Sequence, residues 1–329
     1  MIEFFSTIPG AILLLVVGFV FLIKGADFFV EGASAIAKKL KVPSLVIGMT
    51  IVAMGTSLPE LSVSVTASIA GSNQLAIGNV VGSNIFNLMV VLGSCALFSA
   101  LDVADDTIKK DFPFSIICAL ALVVLGFTGK TLGHIDGVIL IIAFVVFLYS
   151  MLNAAKKSRK EAAMLAEEDV EEKTVDLPTW LCIIYIVGGA VAIKFGGDWV
   201  VESCTTLALK FGMSETLVGL TIVALGTSLP ELVTSIVAAR KNELDMAIGN
   251  VVGSNIFNIL LILGAASAIS PITFLAVNAI DASILIVMSV IVWILCAKKK
   301  KLNRPDGILM LVLYVAYLIY IIIRDGGIA

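Results

Sequence analysis

Charge is scarce in this chain. Only 14% of its 329 residues are Asp, Glu, Lys or Arg, and the formal net charge is −3. Ordinary soluble domains carry about a quarter charged residues, so the composition excludes that class, and the near-neutral balance argues against a nucleic-acid partner. Histidine is scarcer still: His134 stands alone, so no H-E-x-x-H zinc motif exists and Ser57 and Ser228 have no histidine base at depth. The chain is therefore expected not to be an enzyme and to need no cofactor. The five cysteines (Cys95, Cys118, Cys182, Cys204, Cys296) are odd in number and scattered through apolar runs. They make neither a metal spacing nor a disulfide framework, and are expected to be small buried apolar residues. The amino terminus lacks a basic n-region and an A-x-A-like cleavage site, so the first apolar run is expected to be a retained span.

Hydrocarbon fills what charge leaves: 59% of residues are hydrophobic and the mean hydropathy is +1.08. A helix needs about 20 apolar residues to cross the membrane core. Apolar runs between polar breaks give ten spans, at 8–37, 43–70, 75–100, 112–128, 132–153, 179–209, 214–239, 245–269, 274–297 and 306–324. The expected class is an all-α polytopic membrane protein. Of 22 Lys and Arg residues, 17 fall in one set of alternate loops, which orients both termini outside and the 154–178 loop in the cytoplasm of a cell membrane.

The chain also repeats itself. A shift of 171 aligns residues 43–93 with 214–264 without a gap, and 28 of those 51 positions are identical. "GADFFVEG" (25–32) matches "GGDWVVES" (196–203), and Asp136-Gly137 matches Asp306-Gly307. Two halves of five spans follow, 1–153 and 179–329, joined by a solvated, partly helical linker at 154–178. An odd number of crossings inverts the second half, a recurrent plan of secondary transporters with the ion site at the midplane.

"GTSLPE" stands at 55–60 and again at 226–231, deep in two spans. Each glutamate there costs at least ~2.5 kcal/mol on insertion scales, so Glu60 and Glu231 need a proton, a hydrogen bond or a cation. Pro59 and Pro230 have no N–H, which deprives the carbonyls of Gly55 and Gly226 of their helical donors. Thr56 and Glu60, like Thr227 and Glu231, are spaced i, i+4, so hydroxyl and carboxylate are expected on one face. The donor set is all oxygen and suits a hard ion such as Ca²⁺ rather than Zn²⁺ or copper. "GNVVGSNIFN" follows at 78–87 and 249–258. Its Asn79, Ser83 and Asn87 form a polar stripe, and Gly78 with Gly82 permits close helix approach. For Asn79, Asn84, Asn250 and Asn255 helix packing is the expected role.

At these residues the sequence resembles the calcium/cation antiporter superfamily and, within it, the prokaryotic-type sodium/calcium exchanger branch, over the whole chain. The resemblance implies alternating access, with Na⁺ entry driving Ca²⁺ export. It implies that Glu60 and Glu231 are paired Ca²⁺ ligands, completed by the carbonyls of Thr56 and Thr227. Ser83 and Ser254, with the carbonyls of Ala53 and Ala224, would join flanking Na⁺ sites. Ser57, Ser228, Asn87 and Asn258 would line the centre. Many family members carry aspartate where this chain has Asn258, so two carboxylates rather than three serve the site. Two balance one Ca²⁺ or two Na⁺; the Na⁺:Ca²⁺ ratio and any K⁺ involvement stay open. The alternative is a proton-coupled antiporter of Ca²⁺ or another divalent cation, against which the neutral serine and asparagine oxygens count. A channel would build its filter from a ring of subunits. The partners expected are the lipid bilayer, Ca²⁺ and Na⁺, with no obligatory protein.

Weaker candidates complete the reading. Asp27 with Glu31, and Asp198 with Glu202, repeat an i, i+4 acidic pair for which structural pairing is expected, with Lys24 placed to neutralise Asp27. Asp111 and Asp281 are expected to be helix caps. His134 falls in a short outer loop, where a surface role is expected.

Overall fold

The computed structural model describes residues 5, 7–165, 177–213 and 224–324. Among the described residues the secondary structure is helical apart from four two-residue strands. In chain order the helices are α1 (Ile8–Leu40), α2 (Ser44–Thr56), α3 (Leu58–Ile69), α4 (Asn73–Phe98), α5 (Thr107–Gly129) and α6 (His134–Leu165). Then come α7 (Thr179–Lys210), α8 (Ala224–Gly226), α9 (Leu229–Arg240), α10 (Leu244–Ile269), α11 (Ala276–Lys299) and α12 (Arg304–Arg324). Among the described residues 8 helices are long and apolar enough to span a membrane, or 9 if α2 and α3, bent by 49°, count as one. The start of the expected span 214–239 lies outside the described residues; α8 and α9 carry its remainder.

Local chemistry sets the ends. Thr7 caps α1 by accepting the Gly10 N–H at 3.2 Å, and Lys41 closes it in a left-handed conformation with φ 52°. Helix α6 does not stop at 153 but continues to Leu165. Its extension "AAKKSRKEAAML" is rich in strong helix formers and has no glycine or proline to end it. The linker residues 166–176 lie outside the described residues.

The helices are unequal in burial. In α4 and α10, 78% of the apolar window is buried, against 22–39% in the other six spans. The two copies of "GNVVGSNIFN" therefore form the centre, and the more exposed spans wrap it. Contact at the centre is close: a side chain at Gly253 would place its Cβ 2.6 Å from the Met49 Cα, so α2 and α10 touch backbone to backbone. Lining the same helices are Cys95 and other buried apolar side chains; Cys118, Cys182 and Cys296 are buried too, and Cys204 is half-buried.

The ends of the helices interlock across the two halves. Strand β1 (Leu101–Asp102) pairs antiparallel with β4 (Lys301–Leu302), and β2 (Thr131–Leu132) with β3 (Ile272–Thr273). By the 171-residue shift β1 corresponds to β3, and β2 nearly to β4. The pairs lie beyond opposite ends of α5. The repeated Asp-Gly step serves these corners: Asp136 accepts the Gly133 N–H and Asp306 the Asn303 N–H, at 2.8 and 2.9 Å. His134, exposed at the start of α6 as expected, also donates from Nδ1 to the Ala268 carbonyl at 2.8 Å and so ties the halves.

One turn is more heavily bonded than its twin. Between α9 and α10, Lys241 reaches Asp27 Oδ1 at 3.2 Å and Glu31 Oε2 at 3.4 Å, and donates to the Asp27 carbonyl at 2.9 Å. Glu243 accepts from Ser34 Oγ and, at 2.9 Å, from Ser44 Oγ. The equivalent turn between α3 and α4 reads Ala70-Gly71-Ser72. Lys24 does lie 3.9 Å from Asp27, as its spacing predicts. The caps fare differently. Asp111 occupies the N-cap position of the regular α-helix within α5 but makes no capping hydrogen bond. Asp281 lies inside α11 and pairs instead with Arg324 at 2.7 Å, because a charge on an apolar span is better met by an opposite charge than by its own backbone.

Candidate ion site

The two helix breaks are built alike. Between α2 and α3, Ser57 adopts φ −84° and ψ 10°; before α9, Ser228 adopts φ −93° and ψ 5°. Proline follows two residues later in each, inside the first turn of the new helix. That placement suits proline, since first-turn N–H groups have no helical acceptor. Glu60 and Glu231 then fall in the first turns of α3 and α9, at the positive end of each helix dipole, where a carboxylate is favoured. Both side chains are fully buried.

Three further distortions flank the site, none of them anticipated from the sequence. The chain forms π-helical turns at Gly48–Val52, Asn87–Val91 and Asn258–Leu263. The first ends next to Ala53, and the other two begin at Asn87 and Asn258. Such widened turns occur frequently at functional sites, but no residue pattern in these apolar stretches announces them.

The carboxylates are held crosswise. Ser57 of the first motif donates to Glu231 Oε1 at 2.9 Å, while Ser228 of the second donates to Glu60 Oε1 at 3.1 Å. Ser83 lies within 3.4 Å of the same Glu60 oxygen. The threonines depart from expectation. Thr56 Oγ1 donates to Asn250 Oδ1 at 3.1 Å, and Thr227 Oγ1 lies 3.4 Å from Asn79 Oδ1. Each hydroxyl is thus turned to an asparagine of the other half rather than to the carboxylate of its own motif. Side chains spaced i, i+4 share a face only in a regular helix, and the break at serine rotates the turn. Asn79 and Asn250 also donate to Ser64 and Ser235, both at 2.9 Å, so their packing role includes bracing the breaks.

Five oxygens of the predicted site are left over. Glu60 Oε2, Glu231 Oε2, Asn87 Oδ1, Asn258 Oδ1 and Ser254 Oγ are buried and carry no hydrogen bond among the described residues. A buried oxygen without a partner costs about 1–3 kcal/mol, and more when charged. Five together, all oxygen and two of them on carboxyl groups, form the donor chemistry of a hard cation. The Ala53 carbonyl accepts the Ser57 N–H at 3.0 Å and lies 3.4 Å from the Thr56 hydroxyl. Ala224 opens α8, and its side chain lies outside the described residues. Among the described residues no group of three His, Cys, Asp or Glu side chains is placed to hold a metal ion; the carboxyl groups buried at the two breaks are those of Glu60 and Glu231.

Beside the breaks lies a cavity of about 300 Å³ lined by Pro59, Ser62, Asp198, Glu202, Thr227 and Pro230. Asp198 is paired with Lys194 at 2.5 Å. The second acidic pair therefore borders open space next to the site, whereas Asp27 and Glu31 are bound by Lys241.

A helical membrane protein with an oxygen-lined site between two matching helix breaks is the form of an ion exchanger. The family model for the sodium/calcium exchanger protein matches residues 10–153 and 181–323, and this chain belongs to that family of membrane-embedded transporters. It is 39% identical to the putative antiporter CaxA of Alkalimonas amylolytica over 311 residues, 93% of this chain and 97% of that protein. It is 34% identical to the sodium/calcium exchanger MaX1 of Methanosarcina acetivorans, over 93% and 97% of the two chains. Among solved structures, the sodium-calcium exchanger NCX_Mj soaked with Na⁺ and Sr²⁺ superimposes with a TM-score of 0.81 at 31% identity, covering 94% of this chain and 98% of that one.

Proposed function

We propose that this protein exchanges Na⁺ for Ca²⁺ by alternating access and normally exports Ca²⁺ from the cell. The observation that carries the reading is the crossed pair of buried carboxylates, Glu60 and Glu231, each tied by one oxygen to the serine of the other motif and left with a second oxygen unbonded. Two negative charges match one Ca²⁺, and they match two Na⁺ as well. Glu60, Glu231, Asn87 and Asn258 would hold Ca²⁺ with the carbonyls of Thr56 and Thr227 and the hydroxyls of Ser57 and Ser228. Ser83 and Ser254 with the Ala53 and Ala224 carbonyls would serve Na⁺, whose weaker field suits neutral oxygens.

The plan that supports this mechanism is ten spans in two inverted repeats, 1–153 and 179–329. Swapped pairing of β1 with β4 and β2 with β3 favours it. A two-fold operation that exchanges pairs at opposite ends of α5 must have its axis in the membrane plane, which turns one half upside down. The excess of Lys and Arg near Lys38, Lys109, Arg240 and Lys298 assigns that end to the cytoplasm and both termini to the outside.

The test is uptake of radiolabelled Ca²⁺ by proteoliposomes loaded with Na⁺, against vesicles loaded with K⁺ or carrying a pH gradient. Na⁺-loaded vesicles should accumulate Ca²⁺. Uptake driven by the pH gradient and not by Na⁺ would overturn the coupling assignment.

A further inference from the structure

Asn84 and Asn255 lie outside the ligand set, yet both are fully buried next to it. They face one another across the halves. Asn84 Nδ2 donates to the Asn255 carbonyl at 3.0 Å, and Asn255 Nδ2 donates to the Asn84 carbonyl at 3.2 Å. A carbonyl only accepts, so these two contacts fix which end of each amide carries nitrogen. The Oδ1 atoms of Asn84 and Asn255 are thereby committed as acceptors. Each meets a residue of the predicted site: Asn258 Nδ2 donates to Asn84 Oδ1 at 3.0 Å, and Asn87 Nδ2 donates to Asn255 Oδ1 at 3.2 Å. With their nitrogens held, Asn87 and Asn258 have only one free end, and it is the unbonded oxygen.

We infer that Asn84 and Asn255 are positioning residues that lock the amides of Asn258 and Asn87 with oxygen toward the transported cation and N–H away from it. The inference rests on the reading that Asn87 and Asn258 line the ion site. A flipped amide would direct N–H hydrogens at a cation and set two acceptor oxygens against each other at the clamp, so both errors are penalised together. The lock also runs between halves: Asn84 of the first sets Asn258 of the second, and Asn255 sets Asn87. Each ion ligand of amide type is therefore oriented from the opposite repeat.

A double-mutant cycle in proteoliposomes separates positioning from packing. Asn258→Ala should raise the KM for Ca²⁺ about tenfold, and Asn84→Leu should raise it by a similar factor with a smaller change in maximal rate. In the Asn84→Leu/Asn258→Ala pair the KM should equal that of Asn258→Ala alone, because no amide is left to misorient. A double-mutant KM equal to the product of the two single effects would overturn the inference and leave Asn84 as a packing residue. An unchanged KM in Asn258→Ala would overturn the ion-site reading of that residue and the inference with it. Asn84→Ser, which is smaller and polar, gives the same cycle if the leucine variant does not fold, and Asn255 with Asn87 provides the symmetric one.

Discussion

Glu60 and Glu231 show how much a single residue can disclose. A carboxylate in a span is costly enough that the sequence alone marks it as needing a partner. Each of Glu60→Gln and Glu231→Gln should lower Ca²⁺ uptake on the order of 100-fold, matching ~3 kcal/mol for removing one member of a buried charge assembly. Thermal melting gives a second readout. Ca²⁺ at 100 times its dissociation constant should stabilise the wild-type protein by about 2.7 kcal/mol, and both variants should lose that increment while the ion-free protein stays as stable or becomes more so. Uptake at the wild-type level in either variant would reduce the motif to packing. What the sequence did not disclose is direction. Ser57 bonds the distant Glu231 and not Glu60, and Thr56 bonds Asn250; contacts between halves depend on how the breaks rotate their turns, which no i, i+4 rule contains.

The helices were legible where hydrophobicity and breakers agree. The long apolar runs, the glycine and proline at the motif and the capping residues each have a local cause, and the ends of α1, α7 and α10 lie within a few residues of expectation. The π-helical turns at Gly48–Val52, Asn87–Val91 and Asn258–Leu263 were not legible, since no residue pattern shared by the three marks where they begin. Proline at the break is testable as an element-level device. Pro59→Ala restores an N–H for the Gly55 carbonyl and removes a penalty of about 3 kcal/mol against continuous helix. The variant should melt no lower than wild type and lose at least tenfold in Ca²⁺ uptake as the 49° bend between α2 and α3 relaxes. Unimpaired uptake would show that the bend is incidental. Close packing behind it is tested by Gly253→Val, whose Cβ would lie 2.6 Å from the Met49 Cα. Overpacking of about 1–3 kcal/mol should appear as a lower melting temperature.

Over the whole molecule the repeat was the most informative feature of the sequence, because 28 identities in 51 positions imply that two copies of one element meet. It also concealed something. A strict two-fold plan would give the inward-open and outward-open forms equal energy, yet the α9–α10 turn carries Lys241 and Glu243 where the α3–α4 turn carries Ala70 and Ser72. The lysine contacts are partly exposed and screened, worth up to ~1 kcal/mol; the Glu243 hydrogen bonds from Ser34 and Ser44 are better shielded. Lys241→Ala should therefore shift the ratio of the two forms up to about fivefold toward the one in which Asp27 and Glu31 separate from this turn, as read by thiol labelling of single cysteines placed at Ser62 and Val233. No change in labelling would show that the contacts persist in both forms. On the proposed sidedness, the tie at Lys241 would close the cytoplasmic approach, and the cavity by Asp198 and Glu202 would face the exterior. On the proposed coupling, an exchanger weighted in this way would rest facing the compartment that holds its driving ion, the return to the cytoplasm would be the slow step of each cycle, and two nearly interchangeable halves would acquire a direction.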